Sequence, residues 1–259
     1  MGGNAPGIAR NAFGLANAVS YLIETRGVGI RLEGWQRRVG THYVMARAIL
    51  ETAAKEAATI ARRLAAAREH AAASTADLVL ASKIAVTRLD IPFVDPQTGE
   101  RRLIDVAFQD SRAATPTLTR PRPPGYFIEP AAAEPIAALR LRHIGMCALA
   151  APMEREVESF LVETVGRPVD RRAINPDQTV KSTLVRRSIV LPAGTVFVPL
   201  DQPAANVVIV ALEPDSPGSF AGVGLVPVTD GVAAVHRAVA GPNEVRVAAD
   251  GDSGAPCRF

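Results

Sequence analysis

The sequence predicts an α/β protein in two parts: a strand and a long helix through about Ser74, then a β-rich region of mixed α+β character over residues 75–259. Three observations carry this. Apolar residues dominate "AVSYLIET" at 18–25, which suits a strand covered on both faces, as in parallel sheets backed by helices. After the turn "RGVG", Trp35, Val39, Tyr43, Ala46, Ile49, Ala53, Ala57, Ile60 and Leu64 step by three or four, which is one helical stripe. Beyond the alanine-rich "AAAREHAAASTAD" the chain changes to Val/Ile-rich runs separated by turns, which sets a domain boundary near Ser74.

The polar side of the first helix carries Arg37, Arg38, Glu51, Lys55, Arg62 and Arg63, most simply a solvated face; His42 lies beside the stripe as a packed or capping residue. In the second part, "KIAVTRLDIPFVD" and "RRLIDVAFQD" flank "DPQTGE", whose Pro, Asp and Gly mark a hairpin turn. Pro116, Pro121, Pro123 and Pro124 exclude a regular helix and favour an extended connection. "EPAAAEPIAALRLRHIGM" reads as a short helix with Pro135 in its first turn and Gly145 as its stop. Strands follow at "REVESFLVE", "TVKSTLVRRSIVL" and "TVFVPL". A last helix is expected in "DQPAANVVIVALEP", with Asp201 as N-cap and Pro203 in the first turn.

Composition narrows the functional classes. A chain of 259 residues with 48% hydrophobic residues can build a substantial core. The net charge of +3 is small and its basic residues are dispersed, so no nucleic-acid partner is expected. No run approaches the roughly 20 consecutive apolar residues of a membrane helix, and no membrane partner is expected. The start "MGGNAPGIARNAFG" lacks the charged-then-apolar order of a secretory signal. Cys147 and Cys257 either pair in an oxidising compartment or are two free thiols. His42, His70, His143 and His236 are scattered, with no pair at the spacing of a zinc site, so no metal ligands are expected in this chain. The tail string "GDSG" around Ser253 matches serine proteases of the trypsin type by chance, since no partner histidine and aspartate can be identified for it.

The carboxylate of Glu24, at the end of the first apolar run and followed by Thr25, Arg26 and Gly27, is either a surface acid paired with Arg26 or a catalytic group on a rigid element. "FGLANAVSYLIETRGVG" with its arginine-rich helix resembles the last strand and last helix of the catalytic domain in the zinc metallocarboxypeptidase family, the carboxypeptidase A-like or funnelin group. "VPLDQPAANVVIVALEPDSPGSFAGVG" is similar to a segment after the peptidase domain in bacterial members. The resemblance implies a carboxypeptidase-like α/β domain ending in residues 1–74 and a β-rich accessory region over 75–259. It implies Glu24 as the general base that takes a proton from the attacking water and passes it to the leaving amine, with Arg26 on the same strand face. It also implies a zinc cofactor, a peptide or protein substrate, and relatives that are often exported.

Relatives take their zinc from a His-x-x-Glu pair and a third histidine upstream of the glutamate, whereas only 23 residues precede Glu24 here and none is His. The expectation is therefore a truncated C-terminal portion, inactive alone. One doubly covered strand and one helix cannot bury each other, so the first segment expects a partner: the missing N-terminal half, a second chain or the sheet of the following region. The alternatives to an enzyme are a peptide- or polymer-binding module and an interaction protein with an exposed sheet edge.

Overall fold

A computed structural model of the chain describes residues 6–25, 32–164 and 180–239. Its described part is a mixed, sheet-rich protein with helices α1 (Ala9–Leu15), α2 (Trp35–Lys55), α3 (Ala57–Ala73), α4 (Ala133–Leu141) and α5 (Ala205–Leu212). A two-stranded ribbon pairs β1 (Leu78–Val94) with β2 (Arg101–Arg120). A second sheet has the order β4-β7-β3-β9-β5-β6, from Cys147–Ala148, Val196–Pro199, Gly125–Ile128, Val232–Ala238, Met153–Thr164 and Lys181–Leu191; β8 (Val228–Thr229) adds to β9. All described pairings are antiparallel.

Alternation along the central strands sorts the core onto two faces. Tyr126, Ile128, Val196 and Val198 point to the side covered by Ile136 and Leu139 of α4 and by Val208 and Leu212 of α5. Their neighbours Phe127 and Phe197 point to the opposite side with Cys147, Leu149, Val157 and Leu191, and their rings sit 5.0 Å apart. Such period-two sorting is what a strand buried on both faces requires. Gly125 lets β3 approach β7 closely, because a Cβ there would lie 2.6 Å from Phe197 Cζ and from the Val198 carbonyl oxygen.

The hairpin forms where its turn chemistry places it: Asp95 Oδ1 accepts the Gln97 and Thr98 N–H groups, and Gly99 takes φ +75°. Its second strand runs on through Arg120, so "TPTLTR" belongs to a strand rather than to a connection. In a two-stranded ribbon each strand has a free edge, which tolerates the missing donor of Pro116. Helix α4 ends at Leu141, and His143, not Gly145, takes the left-handed conformation at φ 55°. Gly145 instead donates its N–H to Gln202 Oε1 at 2.9 Å, while Gln202 Nε2 donates to the Gly145 and Pro199 carbonyls. Helix α5 starts after Ala204, so Asp201 is no cap and Pro203 precedes the first turn.

The first segment departs most from expectation. Residues 18–25 are neither helix nor strand, and Val19, Tyr21 and Leu22 are exposed. No neighbouring strand among the described residues reaches this run, and a lone extended segment cannot satisfy its backbone in a ladder. The expected single helix is two, α2 and α3, interrupted at Glu56, whose ψ of 16° breaks the helical run. The front of its apolar stripe faces solvent, with Trp35, Val39 and Tyr43 more than half exposed. Only the far end docks: α3 packs against α5, and Arg122 Nη2 donates to the Ala71 carbonyl at 3.0 Å. The change from helix to ribbon falls between Ala73 and Leu78.

Candidate functional site

Glu24 lies exposed in the irregular segment after α1, and Arg26 lies outside the described residues. The next residue, Thr25, is tied to α2 through Thr25 Oγ1 and His42 Nε2, 3.0 Å apart. Thr25, Trp35, Arg38, Val39, His42, Tyr43 and Ala46 line an open groove of about 640 Å³ beside it. His42 thus pins the end of the predicted strand to the helix rather than packing in a core. The groove offers aromatic faces and a cation, but nothing described holds the Glu24 carboxylate in one position.

A cluster the sequence did not announce lies on the helix-covered face of the large sheet. Arg120, at the end of β2, pairs through Nη1 with Glu213 Oε2 and through Nη2 with Asp215 Oδ2, both at 2.8 Å. Its Nη2 also donates to the Ser182 carbonyl at 2.9 Å, and its guanidinium lies 5.7 Å from the centre of the Phe160 ring. Tyr126 O–H donates to Glu213 Oε1 at 2.8 Å. Arg237 Nη1 pairs with Glu158 at 2.9 Å, Nη2 donates to the Pro121 carbonyl, and Nε stands 3.3 Å from Glu213 without hydrogen-bond alignment. Glu213 is 0% exposed and Arg237 2%. Buried charges persist only when paired in this way. Burial, followed by the Glu213 charge and hydrogen bond, pushes the Tyr126 phenol well above its ordinary value.

The opposite face carries a linear chain of side chains. Arg187 Nε donates to Ser159 Oγ at 2.9 Å, Ser159 Oγ lies 2.9 Å from His236 Nδ1, and His236 Nε2 lies 2.7 Å from Glu129 Oε1. The Glu129 carboxylate can only accept, so the neutral imidazole carries its hydrogen on Nε2, and Nδ1 accepts from the Ser159 hydroxyl, whose oxygen in turn accepts from Arg187. The connectivity matches a nucleophile, base and orienting acid. Two facts remove that reading: Ser159 is 1% exposed, and Arg187 already occupies its oxygen. Burial, ahead of the opposing Glu129 contribution, lowers the His236 pKa from its ordinary value.

His70 and His143 stand apart on the surface, and Cys147 is disulfide-bonded rather than a free thiol; Cys257 and Ser253 lie outside the described residues. Among the described residues no group of three or more His, Cys, Asp or Glu side chains is placed to hold a metal ion. No described helix is long and apolar enough to cross a membrane.

No protein-family model matches the chain, and no solved structure matches it. Curated relatives do. The chain is 32% identical over 226 residues to "Carboxypeptidase 2" of Trichophyton rubrum, covering 86% of this chain and 42% of the relative. It is 31% identical over 226 residues to the protein of that name from Trichophyton tonsurans, with the same 86% and 42% coverage. A "Probable carboxypeptidase 2" of Arthroderma benhamiae (strain ATCC MYA-4681 / CBS 112371) is 30% identical over 206 residues, 80% of this chain and 39% of the relative. The chain therefore spans about two fifths of the length of the curated relatives it matches, and along that span its sequence supports a carboxypeptidase relation.

Proposed function

We propose that the chain is the glutamate-bearing portion of a zinc metallocarboxypeptidase, a hydrolase of C-terminal peptide bonds, with Glu24 as general base, Arg26 beside it and residues 75–259 as an accessory region. The observation that carries this reading is the similarity over 226 residues to proteins named carboxypeptidase 2. The exposure of Val19, Tyr21, Leu22 and Trp35 fits it, since an apolar run and an aromatic helix face left in water need a further body to cover them. In such a body the 18–25 run gains strand neighbours, and Glu24 gains the fixed position that a general base requires.

The described side chains do not fit a zinc site, and no step is assigned to metal held by them. The zinc ligands belong, on this proposal, to polypeptide outside this chain, and the chain alone is inactive. The test is a protein extended to the length of the relatives. It should release C-terminal amino acids from peptides, and Glu24→Gln should abolish release while leaving bound zinc stoichiometric. Full activity in the Glu24→Gln protein would overturn the assignment.

A second reading, an interaction protein, is favoured by the ribbon, where Val86, Leu89, Phe93, Val94, Leu103 and Ile104 are exposed. Sizing chromatography of the purified chain separates the two: a monomer that binds no apolar dye counts against it.

A further inference from the structure

We propose that the chain of side chains from Arg187 through Ser159 and His236 to Glu129 is an acid-released latch that ties the outer strands β5 and β6 to the centre of the large sheet. It crosses four neighbouring places in that sheet: Arg187 on β6, Ser159 on β5, His236 on β9, and Glu129 immediately after β3. The backbone ladder is irregular just where the latch sits. Pairing of β5 with β9 is regular from Val157↔Ala238 to Ser159↔His236, then shifts abruptly to Leu161↔Val232. Side-chain bonds at the last regular pair therefore hold a junction that the ladder alone leaves open on one side.

The direction of the hydrogen bonds makes the latch sensitive to one proton. In the closed state Nδ1 is an acceptor, and each member donates to the next. A proton added to Nδ1 turns it into a donor aimed at Ser159 Oγ, which already receives the Arg187 N–H. The hydroxyl hydrogen must then leave for a buried position with no acceptor assigned to it. The charged groups facing the imidazole are Glu129, from the segment after β3, and Arg187, from β6. The first favours the imidazolium and the second opposes it. Glu129 is 32% exposed, so this end of the latch meets solvent.

The folded His236 pKa lies below the ordinary 6.5. Its stabilising contribution is complete above the unfolded value and is lost as pH falls through the folded one, each unit of difference being worth about a tenfold change in the folded-to-unfolded ratio. Native-state hydrogen exchange between about pH 8 and about pH 5, corrected for the intrinsic rate, reads the opening directly. Acidification should lower the protection of β5 amides around Ser159 more than that of β3 and β7, and His236→Gln should remove the extra loss. If that variant does not fold, Glu129→Gln serves: it keeps the acceptor but removes the charge that favours the imidazolium, so the folded His236 pKa falls further and the acid loss of β5 protection at about pH 5 should grow. Equal pH dependence of β5 and β7 protection in the wild type, or an acid loss in Glu129→Gln no larger than in the wild type, overturns the proposal.

Discussion

Arg120 Nη1 and Glu213 Oε2 lie 2.8 Å apart, joining the foot of the β1–β2 ribbon to the chain just beyond α5 in a place where the Glu213 side chain has no solvent exposure. The ribbon is therefore fixed at its base, whatever its far end does. Tyr126 and Arg237 approach the same carboxylate, so four segments of the fold meet at one acid. Removing Glu213 leaves the buried Tyr126 hydroxyl without its acceptor and two buried arginines with one carboxylate each, Asp215 for Arg120 and Glu158 for Arg237. Glu213→Ala should destabilise the protein by about 3–5 kcal/mol, measured as a fall in the urea midpoint. A change within about 0.5 kcal/mol, the ordinary range for surface substitutions, would show that the cluster is solvated in solution.

The ribbon itself gives the contrasting case. Arg88 and Asp105 pair at 2.6 Å, yet their side chains are 68% and 51% exposed. An exposed pair is screened and costs side-chain entropy to hold, so Arg88→Ala should change stability by less than about 1 kcal/mol. The same urea titration compares the two sites.

Close packing at β3 predicts a different signature. Adding a single methyl at Gly125 brings it within 2.6 Å of both a ring and a backbone oxygen of β7. Gly125→Ala must move β7 or twist the pair, at a cost of about 1–3 kcal/mol. A thermal midpoint equal to that of the wild type would mean that β3 and β7 are not in this register.

Alkaline titration tests the buried phenol. The Tyr126 pKa is raised by burial and by Glu213, so the neutral form contributes stability below the ordinary value of 10.0 and that contribution is lost as pH rises through the folded value. Ionisation of Tyr126, followed by ultraviolet absorbance against a Tyr126→Phe control, should coincide with loss of the folded circular-dichroism signal. Its ionisation in a protein that remains folded would count against the hydrogen bond to Glu213.

The acid side belongs to His236. Stability of the wild type should fall as pH drops below 6.5, the sign set by a folded pKa under the ordinary value. In His236→Gln this part of the decline should be absent, and a parallel decline in both proteins would assign it to other groups.

Local chemistry was legible in the sequence wherever it acts within a few residues. The hairpin turn is written in Asp95 and Gly99, the first turn of α4 in Pro135, and β5, β6 and β7 in their apolar runs. What the sequence could not show is anything decided by distant partners. "AVSYLIET" has the composition of a strand, but a strand exists only where another supplies its hydrogen bonds, and none among the described residues does. Glu24 and Arg26 could be proposed from a motif; the position of Glu24 in space depends on that missing support, and Arg26 lies outside the described residues.

The two buried clusters show the same division. Ser159, His236 and Glu129 are 77 and 107 residues apart, and Arg120 and Glu213 are 93 apart, so no spacing rule brings them together. The sequence by itself determined composition, turn positions, most strands, two helices of the second region and the kinship to proteins named carboxypeptidase 2. Only the tertiary structure decided which charges are buried together and which apolar faces stay in water. Periodicity fixes the face of an element on which a residue lies, whereas burial and pairing depend on what the rest of the chain brings to that face.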